Sequence, residues 1–335
     1  MRSISGKTVL VTGGTGSFGR YVVRRLLSED IKEIRVFSRD EKKQFDMYHK
    51  FSCDPKLAFH LGDIRNFRSV REVMAGVDMV FQAAALKQVP NCERFPVEAI
   101  DTNVTGARNV IDAAMDARVG CVICIGTDKA VQPVNVMGMT KALQEKIVVS
   151  ANESPRNRGT RFVGVRYGNV LNSRGSVVPF FRALIQKKLP LTITSVEMTR
   201  FLLTLNEAVE LVLYAAENAA GGEIFVKRAE SAQILDIARA VCDIAGVKLN
   251  YKVIGTYPGE KIHEILVSEE ERTRCEERDE YVLIYPWKQT PSRKKAVSEY
   301  CSRDTLVSLA KVRAMIEAAD REAEGVEFEE GFYTR

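Results

Sequence analysis

The chain has 335 residues, 45% of them apolar and 28% charged, which describes a globular protein with a sizeable core and room for an attached lobe. The net charge of +5, from 49 basic and 44 acidic residues with no dense basic block, argues against a nucleic-acid partner and is compatible with an anionic small substrate. No apolar run approaches the ~20 residues that span a bilayer, and "MRSISGKTVLVTGG" runs straight into a strand without a signal-peptide core, so no membrane insertion and a cytoplasmic location are expected.

The elements alternate from the start. "KTVLVTG" reads as a buried parallel strand, and "SFGRYVVRRLLSED" places Phe18, Val22, Val23, Leu26 and Leu27 on one helical face. Further strands follow at "EIRVFSRD", "LAFHLGDI", "DMVFQAAAL", "GCVICIGTD" and "RFVGVRYGN", with helical stretches at 67–75, 97–117 and 136–152 between them. Strands alternating with helices predict an α/β fold, a Rossmann-type doubly wound parallel sheet. After about residue 170 the rhythm loosens, and 171–335 is expected to form mainly a smaller C-terminal substrate lobe, with 195–220 returning to the first domain. The charged end, 302–335, reads as one amphipathic helix and a loose tail. Seven scattered cysteines read as reduced thiols, "CVIC" (121–124) as buried strand, and three widely spaced histidines offer no metal site.

The first chemical signal is "TGGTGSFG", residues 12–19. Gly13, Gly16 and Gly19 stand between strand and helix, where a backbone without side chains can approach a pyrophosphate at the helix N-terminus. At the end of the second strand, "SRDEKKQ" offers the Ser38 hydroxyl and the cations Arg39, Lys42 and Lys43, a pocket suited to the 2′-phosphate of NADP. Asp40 is the counter-indication, with a second reading as a helix N-cap. Asp63 and Ile64 fit the flanks of an adenine, or Asp63 is a turn aspartate.

Thr127, Asp128 and Lys129 close the fifth strand, and the helix that follows carries Met137 and Lys141 one turn apart. Nicotinamide enzymes use that spacing for a tyrosine and a lysine, the lysine lowering the phenol pKa so that phenolate takes a hydroxyl proton. Methionine takes none. The stretch is thus a dead site, a core helix, or a site whose base lies elsewhere.

Taken in order, "TGGTGSFG", "SRDEKKQ", "AAALKQVP", "DTNVTGARNV", "GTDKAVQPVNVMGMTKALQEK", "RYGNVLNSRGSVVPFF", "MTRFLLTLNEAVELV" and "PGEKIHEILVSEEE" resemble the extended short-chain dehydrogenase/reductases. Within them they are similar to the inverting UDP-N-acetylglucosamine 4,6-dehydratases, in the branch that carries methionine at the tyrosine position. The resemblance implies C4 oxidation of UDP-GlcNAc by NADP+, elimination of water across C5 and C6, and return of hydride to C6, in a homo-oligomer. It implies Lys129 as C5 base, Asp128 as the acid for the leaving hydroxyl, and Lys141 with Thr127 beside them. On the cofactor side it implies Gly13, Thr15, Gly16, Ser17, Phe18, Gly19, Ser38, Arg39, Lys42, Asp63, Ile64, Ala83, Ala84, Lys87, Asn103 and Lys141. On the substrate side it implies Lys87, Asn169, Asn172, Arg174, Ser176, Val177, Arg200 and Glu260. The sequence departs from the family at Gln82 and Gln88, where relatives often place histidine, and at Tyr257, where arginine is usual. Two rival readings are a UDP-hexose 4-epimerase, which needs no leaving-group acid, and a non-catalytic NADP-binding protein.

Overall fold

A computed structural model describes residues 4–287 and 298–323. Six parallel strands, Thr8–Thr12 (β1), Glu33–Ser38 (β2), Leu57–Leu61 (β3), Met79–Gln82 (β4), Cys121–Ile125 (β5) and Arg161–Arg166 (β6), stand in the order β3-β2-β1-β4-β5-β6. β1 and β5 are buried along their whole length, so they carry continuous apolar runs without alternation. Helices Ser17–Leu27 (α1), Glu41–Lys50 (α2) and Phe67–Met74 (α3) follow the first three strands. On α1 the buried face is Tyr21, Val22, Val23 and Leu26; Phe18 and Leu27 are only half-buried, because the helix rolls Tyr21 toward the core.

The helix expected over 97–117 is broken. Short helices Val89–Arg94 (α4) and Pro96–Ile100 (α5) lead into a π-helical turn at Asp101–Thr105 before Gly106–Ala117 (α6). The fourth helical stretch, Val136–Ala151 (α7), matches its predicted span to one residue and starts at Asn135, whose side chain accepts from Gly138 N.

Beyond β6, short strands Asn169–Val170 (β7), Leu191–Ile193 (β8) and Thr199–Leu203 (β9) flank helix Val177–Gln186 (α8), and Leu205–Asn218 (α9) then packs on α1, β5 and β6. Strand Ile224–Lys227 (β10) joins β6 in parallel; later come Ser231–Gln233 (β11), helix Ile234–Ile244 (α10), Tyr251–Val253 (β12) and Ile265–Val267 (β13). Cys275–Arg278 (β14) and Tyr281–Ile284 (β15) add two antiparallel strands beside β10, and Tyr300–Cys301 (β16) pairs with β13 before the last helix, Leu309–Ala323 (α11). The nine-stranded sheet therefore takes strands from both sides of the boundary expected at residue 170. The tail expected after the last helix lies outside the described residues from 324 onward.

Apolar clusters cover both sheet faces, one including residues of α1 and α9, the other residues of α3 and α6, and a third joins α8, α10 and α11. All seven cysteines are free, and those of "CVIC" are buried, their thiols pushed up to about 11 (Cys121) and about 12 (Cys124) by burial. Strand order reverses direction between β1 and β4, so the crevice for a ligand opens where their C-terminal ends part. No helix among the described residues is long and apolar enough to cross a membrane.

Candidate active site

A cleft of about 1140 Å³ occupies that crevice. This exceeds the ~300–1,000 Å³ of a pocket for one drug-sized ligand, leaving room for a second. Its first wall is the loop between β1 and α1. Gly13 adopts φ +64°, and a Cβ there would stand 2.8 Å from the backbone of Ala84; at Gly19 a Cβ would meet Gly13 O at 2.5 Å. α1 begins at Gly16 with no side-chain cap and no acidic residue in its first turn, so its N–H groups and dipole remain available to an anion. Thr15, Ser17 and Phe18 line the same wall. These residues fit a dinucleotide pyrophosphate.

At the far end, Ser38, Arg39, Asp63 and Ile64 line the cleft. Gln44 donates to both oxygens of Ser38, and Arg39 is exposed, 3.6 Å from Asp63. Asp40 caps α2, accepting from Lys43 N at 3.0 Å and pairing with Lys43 Nζ at 2.6 Å, as its second reading held. Lys42 does not line the cleft: it points to solvent and pairs with Asp46 one turn on, and the cleft-lining lysine is Lys43.

The middle of the cleft carries its buried titratable side chains. Thr127 stands two residues past β5 and caps the short 3-10 turn Asp128–Ala130, and its hydroxyl donates to Asp128 Oδ1 at 2.9 Å. Asp128 is wholly buried behind it, not in the cleft wall. Lys129 reaches the cleft, with Nζ 3.0 Å from Asp128 Oδ1, 3.2 Å from Asn169 Oδ1 and 3.4 Å from Glu264 Oε1. Burial, which outweighs the ammonium beside it, lifts the Asp128 carboxyl above the usual range. For Lys129 burial pulls downward, but the carboxylates of Asp128 and Glu264 win and its pKa rises, against the downward tuning expected for a base. The cluster seats Lys129 Nζ between the carboxyl groups of Asp128 and Glu264.

Met137 is 3% exposed, packed with Cys92 and Ala99, and also lines the cleft. The phenol at the cleft wall is Tyr167, whose pKa burial drives upward, so it is a poor substitute base. Lys141 Nζ donates to Ile125 O and to Gln144 Oε1, while Gln144 Nε2 donates to Gln82 Oε1. Burial lowers the Lys141 pKa to about 8 from 10.5. A depressed lysine binds its proton more weakly folded than unfolded, so below about 8 the native state carries the full penalty, which is relieved as pH rises from there toward 10.5. Urea midpoints of wild type and Lys141→Met across pH 7 to 10.5 check this: the wild type is expected to gain on the variant as pH rises.

The family-implied residues divide in two. Ala83, Ala84, Lys87, Asn169, Arg174 and Ser176 line the cleft. The Arg174 backbone N–H donates to Ser17 Oγ at 3.2 Å, closing the loop over the α1 N-terminus. Lys87 is exposed to the cleft, and the cleft walls together with Arg174 and Lys129 lower its pKa. Arg20, nearby, is pushed down to about 10 by burial and by Arg174. Such crowded cations favour an anionic ligand. Ser176 Oγ and Thr102 Oγ1, at the same wall, are buried without hydrogen-bond partners.

Asn103, Asn172, Val177, Arg200 and Glu260 are not among the lining residues. Asn103 is buried in the π-helical turn, where it bonds both backbone groups of Leu86 and Thr140 Oγ1, and so holds the wall from behind. Asn172, at φ +57°, donates to Asp320 of α11. Val177 opens α8, Arg200 is buried 3.9 Å from Glu264, and Glu260 accepts from Tyr257 N in its own turn. Gln88 and Tyr257 occupy their positions without cationic groups, Gln88 in the wall and Tyr257 exposed. Among the described residues no cluster of three or more histidine, cysteine or acidic side chains could hold a metal.

Sequence reasoning missed Glu264 and the ion network beneath it. Arg166 bonds Glu145, Glu271 and Leu266 O, all buried. The signal was present as an acid ahead of the apolar run "EILV" and an arginine closing the apolar "RFVGVR".

Comparison with known proteins agrees with this architecture. The chain is 51% identical over 282 residues to the UDP-glucose 4-epimerase of Rickettsia canadensis (strain McKiel), covering 83% of this chain and 82% of that one. The solved structure of Pen from Bacillus thuringiensis superposes with a TM-score of 0.89 at 34% identity, covering 94% and 98% of the two chains. DesIV, a dTDP-glucose 4,6-dehydratase from Streptomyces venezuelae with NAD and TYD bound, shares the fold at TM-score 0.70 and 19% identity, over 76% and 86%. The model of the polysaccharide biosynthesis protein family matches residues 9–286, and the chain belongs to that family.

Proposed function

We propose that this protein is an NADP-dependent UDP-N-acetylglucosamine 4,6-dehydratase that also inverts C5. The observation that carries this reading is the Lys129 ammonium in the cleft, 3.0 Å from a buried Asp128 whose other neighbour, Thr127, also faces the cleft. Gly13, Gly16 and Gly19 would hold the dinucleotide, which would supply the hydride chemistry needed at C4 and C6. NADP is favoured because the carboxylate that would exclude a 2′-phosphate, Asp40, is committed to capping α2, leaving Arg39 exposed beside Ser38. Extraction of the bound dinucleotide tests that choice, since DesIV is seen with NAD.

Once the Lys129 ammonium has shed its proton to solvent, the residues close a balanced proton cycle from Lys129 as free amine and Asp128 as carboxylate. Lys129 takes the 4-hydroxyl proton and passes it to Asp128 Oδ1 along their hydrogen bond. Free again, the amine takes the C5 proton made acidic by the 4-ketone. Asp128 delivers its proton through the Thr127 hydroxyl to departing O6, which leaves as water. Lys129 sheds the proton it took to solvent, and C5 takes a proton from solvent on the opposite face, which inverts its configuration.

The relatives named UDP-glucose 4-epimerase favour a second reading, reversal at C4 alone. Incubation with UDP-GlcNAc, and separately with UDP-glucose, decides between them by mass and NMR. Loss of one water with a new C6 methyl supports the dehydratase; unchanged mass with an inverted C4 replaces it with the epimerase; a product retaining a C5=C6 double bond overturns the hydride return.

A further inference from the structure

The charge cluster contains one member that neither the motif spacing nor the cleft lining points to. Glu264 is 2% exposed, immediately ahead of β13, and its backbone N–H donates to Ser302 Oγ. Its Oε1 lies 3.4 Å from Lys129 Nζ and 3.9 Å from Arg200 Nε, and its Oε2 is 3.5 Å from Lys261 Nζ. Lys261 is itself tied to Val131 O, beyond the turn that carries Asp128 and Lys129. Two carboxylates, Asp128 and Glu264, thus flank Lys129 from different parts of the chain, with Arg200 behind, while Lys87 acts on it from the cleft. His263, next in sequence, turns to Thr199 and takes no part.

We propose that Glu264 is a positioning residue, whose buried carboxylate holds the Lys129 side chain at the cleft floor against Asp128 and keeps it as the ammonium until substrate arrives. The role rests on the reading of Lys129 as the base under "Proposed function". Removing one negative charge 3.4 Å from Nζ without removing its volume leaves the ammonium with one carboxylate, so the amine forms at lower pH. An activity that needs the amine then begins at lower pH in the variant. A residue that merely packed the β13 segment would lower activity at every pH without moving the profile.

The test reads Lys129 directly and needs no turnover. Wild type and Glu264→Gln are treated with acetic anhydride at a series of pH values, and acetylation of the peptide containing Lys129 is followed by mass spectrometry. The midpoint is expected to fall by about one unit or more in Glu264→Gln. Glu264→Asp, which keeps the charge, is expected to remain near wild type. If Glu264→Gln does not fold, judged by thermal melting, Lys261→Met takes its place. Loss of the cation that competes for Glu264 is expected to raise the midpoint. An unchanged midpoint in a folded Glu264→Gln, or in Lys261→Met, overturns the proposal. A shifted midpoint in a protein that dehydrates no nucleotide sugar leaves Glu264 in place and sinks only the reaction.

Discussion

Lys129→Arg is expected to fold, to bind dinucleotide and nucleotide sugar, and to lose dehydration by about 10³-fold, within the range for removal of a general base. Charge sets the choice of substitution. Lys129→Ala deletes the cation between Asp128 and Glu264 and leaves two buried carboxylates facing each other, so its loss of activity would mix chemistry with destabilisation. Arginine keeps the positive charge, yet its guanidinium stays protonated at any pH the protein survives, so it can neither take the C5 proton nor relay the 4-hydroxyl proton. In deuterium oxide the wild type is expected to place one deuterium at C5 of the product, and Lys129→Arg none. Asp128→Asn is expected to behave differently, oxidising C4 but neither exchanging C5 hydrogen nor expelling O6, because Lys129 then has no carboxylate to take on the 4-hydroxyl proton and the acid for O6 is gone. NMR of the sugar ring reads both outcomes. A Lys129→Arg protein that still oxidises C4 and exchanges C5 places the base elsewhere and removes the central step of the mechanism.

Arg166→Met is expected to destabilise the fold by about 4 kcal/mol, from the ~3–5 kcal/mol cost of removing one partner from a buried ion pair. Arg166 is 2% exposed and closes β6; it meets Glu145 of α7 at 2.7 Å and Glu271 at 3.0 Å, and donates to Leu266 O at 2.8 Å. Burial raises the Glu271 pKa and the guanidinium outweighs it, holding that carboxyl at about 2 against 4.5. A depressed carboxyl stabilises the native state fully above its unfolded pKa and loses that contribution as pH falls through the folded one. The penalty of Arg166→Met should therefore be largest above 4.5 and shrink as pH falls from there toward about 2, when the orphaned acids can protonate. Denaturant midpoints at pH 7 and at the lowest pH where both proteins fold give the comparison. A pH-independent difference would show that Arg166 acts by packing alone. Because Leu266 O belongs to β13, two residues past Glu264, the same variant should also disturb the Lys129 cluster.

Much of the fold was legible because it depends on local patterns. Five-residue apolar runs such as Thr8–Thr12 and Cys121–Ile125 have no polar alternation to accommodate a solvent-facing side, and each is followed within reach by an amphipathic helix, so the parallel sheet follows from neighbouring residues alone. The glycine loop is local too, since Gly13 and Gly19 must clear backbone atoms. The antiparallel edge was not legible: β15 pairs with β10 over some fifty residues of intervening chain, and strand pairing at that range has no signature in either segment, while β14 joins the sheet only as the hairpin partner of β15. The break of the 97–117 helix into a π-turn is likewise tertiary, as Asn103 gives its side chain to Leu86 and Thr140 instead of to its own helix.

At the cleft the division is similar. Thr127, Asp128 and Lys129 are consecutive, so sequence alone determined that a hydroxyl, an acid and an amine would sit together at a strand end, and that Met137 would leave the helix beside them without a proton acceptor. The tertiary structure decided their charge states. Glu264 arrives from 135 residues further along the chain and raises the lysine pKa that isolated reasoning would lower. It also decided which implied side chains face the cleft, turning Lys42 and Asn172 toward partners at Asp46 and Asp320. Electrostatic energy depends on distance in space and on exclusion of water, and neither is written in the order of residues.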